Sequence, residues 1–96
     1  MMKTNSFEND IQVNSNIYTT FLNKELILCD VDFYQGPLTM QYLPFGGIQS
    51  TYNYHLIIHV KNGYIYPKTI IYDNIVYTPK EFITKFDNLV NYVLPN

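Results

Sequence analysis

His55 and His59 lie four residues apart, and Cys29 is followed closely by Asp30 and Asp32. These are the side chain types with the most chemical potential in the chain. On a helix, an i, i+4 histidine pair could share a metal ion. On a strand the same pair shares a face but stands about 13 Å apart, at ~3.3 Å of rise per residue, too far for one ion to bridge. The alternation around them favours a strand, with His55 opposite Ile70 and His59 opposite Tyr66 as half-buried cross-strand neighbours. Cys29 has no adjacent base in sequence to activate its thiol, and a free cysteine of this kind ordinarily serves packing. Gly46-Gly47 lacks the lysine and helix start of a phosphate-cradling loop. Asp30-Val31-Asp32 closes the apolar run Leu26-Ile27-Leu28-Cys29, an arrangement in which one carboxylate could attack a phosphoryl group and the other donate a proton. No threonine follows two residues on, and 96 residues are too few for the sheet that such phosphotransferases need. The residues therefore read as non-enzymatic, with no cofactor and no metal.

The elements that would position these groups are clearest between Tyr54 and Val93. Asn62-Gly63 between alternating apolar residues signals a two-residue hairpin loop, because both turn positions favour positive φ. That loop pairs Lys61 with Tyr64, Val60 with Ile65, His59 with Tyr66, and Ile58 with Pro67. Tyr54, Leu56, Ile58, Val60, Ile65, Thr69 and Ile71 then share the buried face. Thr78-Pro79-Lys80-Glu81 announces a helix with a capping box and proline at its first position. Phe82, Phe86, Leu89, Val90 and Val93 form its apolar stripe, which predicts a helix over 79–93. Ile17, Phe21, Leu22, Glu25, Leu28 and Cys29 fit a helix at 18–29, capped by Ser15 or Asn16; a strand from Glu25 to Phe33 is the competing reading. The expected sheet comprises 38–43, 52–61, 64–72 and a short strand near 75–77. The fold class is thus α+β, a central antiparallel sheet flanked by two helices. Residues 1–16 read as a polar N-terminal arm and 17–96 as a single domain.

Composition bounds the function. Apolar residues make up 47% of the chain and aromatics 17%, which marks a folded chain and not a disordered one. No run approaches the ~18–20 apolar residues of a membrane span, and the start is polar, so a cytoplasmic setting without a membrane partner is expected. One cysteine excludes an internal disulfide and suits a reducing compartment. A net charge of −2 argues against nucleic acid, whose binding rests on clustered Lys and Arg. All six basic residues are lysines, so no guanidinium fork is available to grip phosphate. Abundant Asn, Ile and Tyr without arginine suits an AT-rich genome of viral, phage or parasite type.

The order helix, strand, hairpin, short strand, helix resembles a Src-homology-2 domain, the phosphotyrosine-reading module. Its closing-helix signature is similar to Ile83, Phe86, Leu89, Val90 and Tyr92. Tyr54-His55-Leu56-Ile57-Ile58 and Gly36-Pro37-Leu38-Thr39-Met40-Gln41 look like two of its strands, and Leu26-Ile27-Leu28 like its first helix. The resemblance places the pocket arginine on Gln41, the second basic position near Phe21, and the remaining pocket positions on Pro67 and Thr69. None is cationic. Desolvating a doubly charged phosphate against neutral groups costs several kcal/mol, so phosphotyrosine binding is expected to be lost. What the residues leave is a protein-protein interaction module with a host or cellular protein partner. Gln41, Tyr42, Phe45, His59, Tyr64, Tyr66 and Lys68 form its expected docking surface. A small viral or phage inhibitor on another α+β fold, and an oligomerising structural subunit, remain as alternatives.

Overall fold

Two consecutive left-handed residues, Leu22 (φ 52) and Asn23 (φ 67), turn the chain back on itself between Phe21 and Lys24. Positive φ at both positions is the hairpin geometry that matches strand twist. It joins β1 (Ile17–Phe21) to β2 (Lys24–Cys29), where a helix was expected. Ile17 and Phe21 lie four apart, a spacing that puts residues on one face of either a helix or a strand. The β-branched and aromatic density of Ile-Tyr-Thr-Thr-Phe decides for the strand. Asp73 (φ 52) and Asn74 (φ 65) repeat the device between β7 (Thr69–Tyr72) and β8 (Ile75–Tyr77).

The computed structural model describes residues 6–38 and 42–95. The remaining strands are β3 (Asp32–Phe33), β4 (Ile48–Ser50), β5 (Ile57–Val60) and β6 (Gly63–Tyr66). They form two four-stranded antiparallel sheets, ordered β1-β2-β7-β8 and β3-β6-β5-β4. The fold is therefore mostly β, with one short C-terminal helix among the described residues, and not a sheet between two helices. The layout implied by the Src-homology-2 resemblance is overturned with it. Phe21, Leu26, Leu28, Ile58, Val60, Ile65, Ile70 and Phe82 belong to one shared core.

Pro67 explains why the expected strand 64–72 is two strands in different sheets. It has no N–H to offer a ladder, and the chain crosses there, with Lys68 N–H donating to Cys29 O at 3.1 Å. The crossing shifts the alternation, so Ile70 and Tyr72 are buried in place of Thr69 and Ile71. The expected strand 52–61 is reduced to β5, preceded by a 3-10 turn at Tyr52–Tyr54. Leu38, Tyr42 and Leu43 lie outside any strand, and 39–41 fall outside the described residues.

The hairpin at Asn62-Gly63 is present but shifted. Its closing pair is Val60 with Gly63, followed by His59 with Tyr64 and Ile58 with Ile65, and Lys61-Asn62 carries the turn. The shift preserves the faces, so Ile58, Val60 and Ile65 are buried as expected. Tyr54, assigned to the same face, is half exposed. The Asn62 amide has another task. Its Oδ1 accepts from Ile11 N–H at 3.0 Å and its Nδ2 donates to Ile11 O at 3.2 Å. Lys61 N–H also donates to Phe7 O at 3.0 Å. The segment before β1 is thereby held against the sheet, with Phe7 and Ile11 in the core.

Helix α1 (Pro79–Lys85) begins as its sequence indicates. Thr78 Oγ1 accepts from Glu81 N–H, and Glu81 Oε1 accepts from Thr78 N–H. It ends after seven residues, well short of the expected 93. Phe86 is extended, and Asn88 (φ 61) and Asn91 (φ 79) are left-handed. The tail pairs with β4 instead, through Asn91 N–H to Ile48 O at 2.9 Å and Ile48 N–H to Tyr92 O at 2.8 Å. Leu89 and Leu94 are buried, while Val90 and Val93 are exposed, contrary to a continuous helical stripe.

Candidate functional site

The outer face of β3-β6-β5-β4 carries a group of aromatic and histidine rings, of which Phe45 also packs against the core. Alternation places them there: on β6, Tyr64 and Tyr66 flank buried Ile65, and on β5, His59 lies between buried Ile58 and Val60. Register then sets His59 directly opposite Tyr64. Their rings stack at 5.0 Å and 23°. Phe45 meets the same imidazole at 5.0 Å, and Tyr42, 90% exposed, at 6.5 Å.

His59 is held firmly. Its Nδ1 lies 2.7 Å from Leu43 O. A carbonyl only accepts, so Nδ1 carries the proton and, in the neutral ring, Nε2 keeps the lone pair. The main chain reinforces this, with Gly46 N–H donating to His59 O and His59 N–H to Gly47 O. Gly46 sits at φ 94, and a Cβ there would lie 2.4 Å from Leu94 O, so a side chain is excluded at this turn.

A second ring group surrounds His55. Its imidazole is 4.5 Å from Tyr66 and 6.1 Å from Tyr34, and the two tyrosines are 6.3 Å apart and perpendicular. Tyr34 arrives through β3, whose Asp32 and Phe33 pair with Tyr66 and Ile65. Burial, and next the neighbouring Tyr52, push the Tyr34 phenol up from its ordinary pKa. It stays neutral throughout the physiological range. At the rim, Lys68 Nζ lies 4.0 Å from Asp32 Oδ2, both groups partly exposed.

Of the expected docking residues, Tyr42, Phe45, His59 and Tyr64 come together in one group. Tyr66 belongs to the neighbouring group around His55, Lys68 stands at the edge with Asp32, and Gln41 lies outside the described residues. His55 packs against Tyr66 and not opposite Ile70, and His59 faces Tyr64 and not Tyr66. Tyr34 was not among the expected docking residues; only the long-range pairing of β3 with β6 brings it here. Of the positions assigned to a phosphate pocket, Thr69 lies on β7 and Gln41 falls outside the described residues. Phe21 is in the core and Pro67 is buried in the crossover.

The other chemical candidates are placed as follows. Burial, then the charge of Asp30, raises the Cys29 pKa, which keeps the thiol protonated. Asp32 Oδ1 accepts from Phe33 N–H at 2.8 Å, and Asp30 is a left-handed residue of the β2-to-β3 crossover. Among the described residues no three His, Cys, Asp or Glu side chains group to hold a metal ion. No helix among them is long and apolar enough to cross a membrane. The outer face offers ring surfaces and hydrogen-bonding edges, which suit stacking and docking. No protein family, curated protein or solved structure matches the chain.

Proposed function

We propose that this chain is a non-enzymatic protein-interaction module that docks a cellular protein on the outer face of β3-β6-β5-β4. The single observation that supports it is the ring group of Tyr42, Phe45, His59 and Tyr64, adjoining His55, Tyr34 and Tyr66, gathered at the sheet face opposite buried Ile58, Val60 and Ile65. Rigid aromatic rings bury large area at small entropic loss and commonly anchor interfaces. The setting is the interior of a cell, where a lone thiol such as Cys29 stays reduced.

The test uses Tyr42→Ser and Tyr66→Ser, made separately. Each is checked by circular dichroism and thermal melting, and then for capture of a partner from native host extract. A partner held by the wild type is expected to be lost at least about tenfold in each folded variant, a loss of ~1.4 kcal/mol per anchor. Full retention by both variants would place docking elsewhere and end this reading.

A further inference from the structure

The first sheet ends in β8, whose outer side faces a cleft of ≈ 550 Å³ lined by Val76, Tyr77, Lys80, Glu81, Thr84 and Lys85. The hairpin dictates what the strand presents there. Tyr72 and Ile75 close the two-residue Asp73-Asn74 loop and so form a hydrogen-bonded pair. Pair types alternate, which makes Ile71–Val76 the non-hydrogen-bonded pair and turns the Val76 N–H and C=O away from β7, toward the open edge. Neighbouring Thr78 offers nothing more, because its N–H donates to Glu81 and its carbonyl accepts from Phe82.

Side chains add two features. On the outer face, Tyr18, Ile27, Ile71 and Val76 stand directly opposite one another across all four strands, an apolar row ending at Val76, which is 64% exposed. On the helix side, Lys80 and Lys85 meet no carboxylate among the described residues. Their ammonium groups rest over the Tyr54 and Phe86 rings at 5.2 and 5.9 Å. Glu81, the one acidic group lining the cleft among the described residues, already accepts the Thr78 N–H.

We infer that the β8 edge beside α1 is a second binding site, taking an extended peptide that alternates apolar and acidic residues. Strand addition supplies the backbone pairing and the flanking side chains supply selectivity. The residue facing Val76 pairs with its N–H and C=O and continues the apolar row. Its two neighbours point to the opposite face, where carboxylates meet Lys80 and Lys85. This site is separate from the ring face of the second sheet.

A fluorescein-labelled heptapeptide alternating Glu or Asp with Val or Ile is titrated by anisotropy against the full chain. Saturable binding is expected, with the Val76 amide resonance shifting along the titration. N-methylation of the central apolar residue of the peptide should weaken binding about tenfold or more, since it removes the donor to Val76 O. Lys80→Glu with Lys85→Gln should weaken it by a similar factor and flatten its salt dependence. Both lysines are exposed, and the first change favours the helix start, so the fold is retained. No saturation at about 1 mM peptide, where even weak strand addition registers, would overturn the inference. So would binding indifferent to both the N-methyl group and the lysine changes. A dimer in sedimentation that Val76→Pro dissolves would assign the edge to a second copy and equally overturn it. The Tyr42→Ser and Tyr66→Ser variants should bind the peptide normally, which separates this site from the ring face.

Discussion

Asn62 offers the sharpest test of how this chain is held together, because two explanations of the same residue predict opposite results. As a left-handed hairpin residue before glycine, Asn62 would be replaced by glycine at little or no loss. The structure instead uses its amide as a clamp on both backbone groups of Ile11. Neither Lys61 nor Asn62 is among the positive-φ residues. Each amide bond contributes about 1 kcal/mol net. Truncation also leaves the Ile11 N–H and C=O part-buried without this partner, so Asn62→Ala and Asn62→Gly should each lose about 2–3 kcal/mol. At ~4–8 °C per kcal/mol for a domain of this size, the melting temperature should fall by roughly 10–20 °C. Asn62→Asp keeps the acceptor for Ile11 N–H but sets a carboxylate against Ile11 O. Its introduced carboxyl should therefore have a folded pKa above its unfolded one. The stability it retains would be fully present at low pH and would fade as pH rises through the folded pKa. Urea denaturation followed by circular dichroism measures the three losses, and amide exchange at Ile11 and Asn14 reports whether the segment before β1 is released. A loss under about 0.5 kcal/mol in Asn62→Gly, the range of a neutral surface change, would refute the clamp.

Two further outcomes follow from the geometry. Leu22 holds φ 52 and is 55% exposed, so Leu22→Asn should relieve left-handed strain and raise stability by about 0.5–1 kcal/mol in thermal melts, with Leu22→Val falling below the wild type. Phosphotyrosine peptides should bind no better than about millimolar in anisotropy titrations, since the chain has no arginine and the positions matched to a phosphate pocket are neutral; micromolar binding that vanishes on dephosphorylation of the peptide would contradict this.

What could be read from the sequence is what local chemistry alone decides. The Thr78–Glu81 capping box forms as its residues require, because both partners lie within one turn. The buried Ile58, Val60 and Ile65 and the opposing His59, Tyr64 and Tyr66 were legible for a different reason. A change of pairing that keeps the parity leaves every side chain on its own face, so the ring surface survived an error in the loop. The failures share the opposite property. Ile17 and Phe21, spaced by four, suit a helix and a strand equally, and the deciding Leu22-Asn23 turn contains no glycine to announce it. The stripe after Phe86 continues in sequence but not in space, because Asn88 and Asn91 adopt left-handed geometry and the tail finds its hydrogen bonds on Ile48, some forty residues back along the chain. Tyr34 reaches the ring surface only through β3 pairing with β6, and Ile11 meets Asn62 across the same kind of distance. Pairings of that separation are governed by the energy of the assembled sheets, which no local window of residue types contains. The shared face of His59, Tyr64 and Tyr66 could be seen before the fold was right, since it depends on parity. The strand edge beside α1 could not, since it depends on which strand ends last.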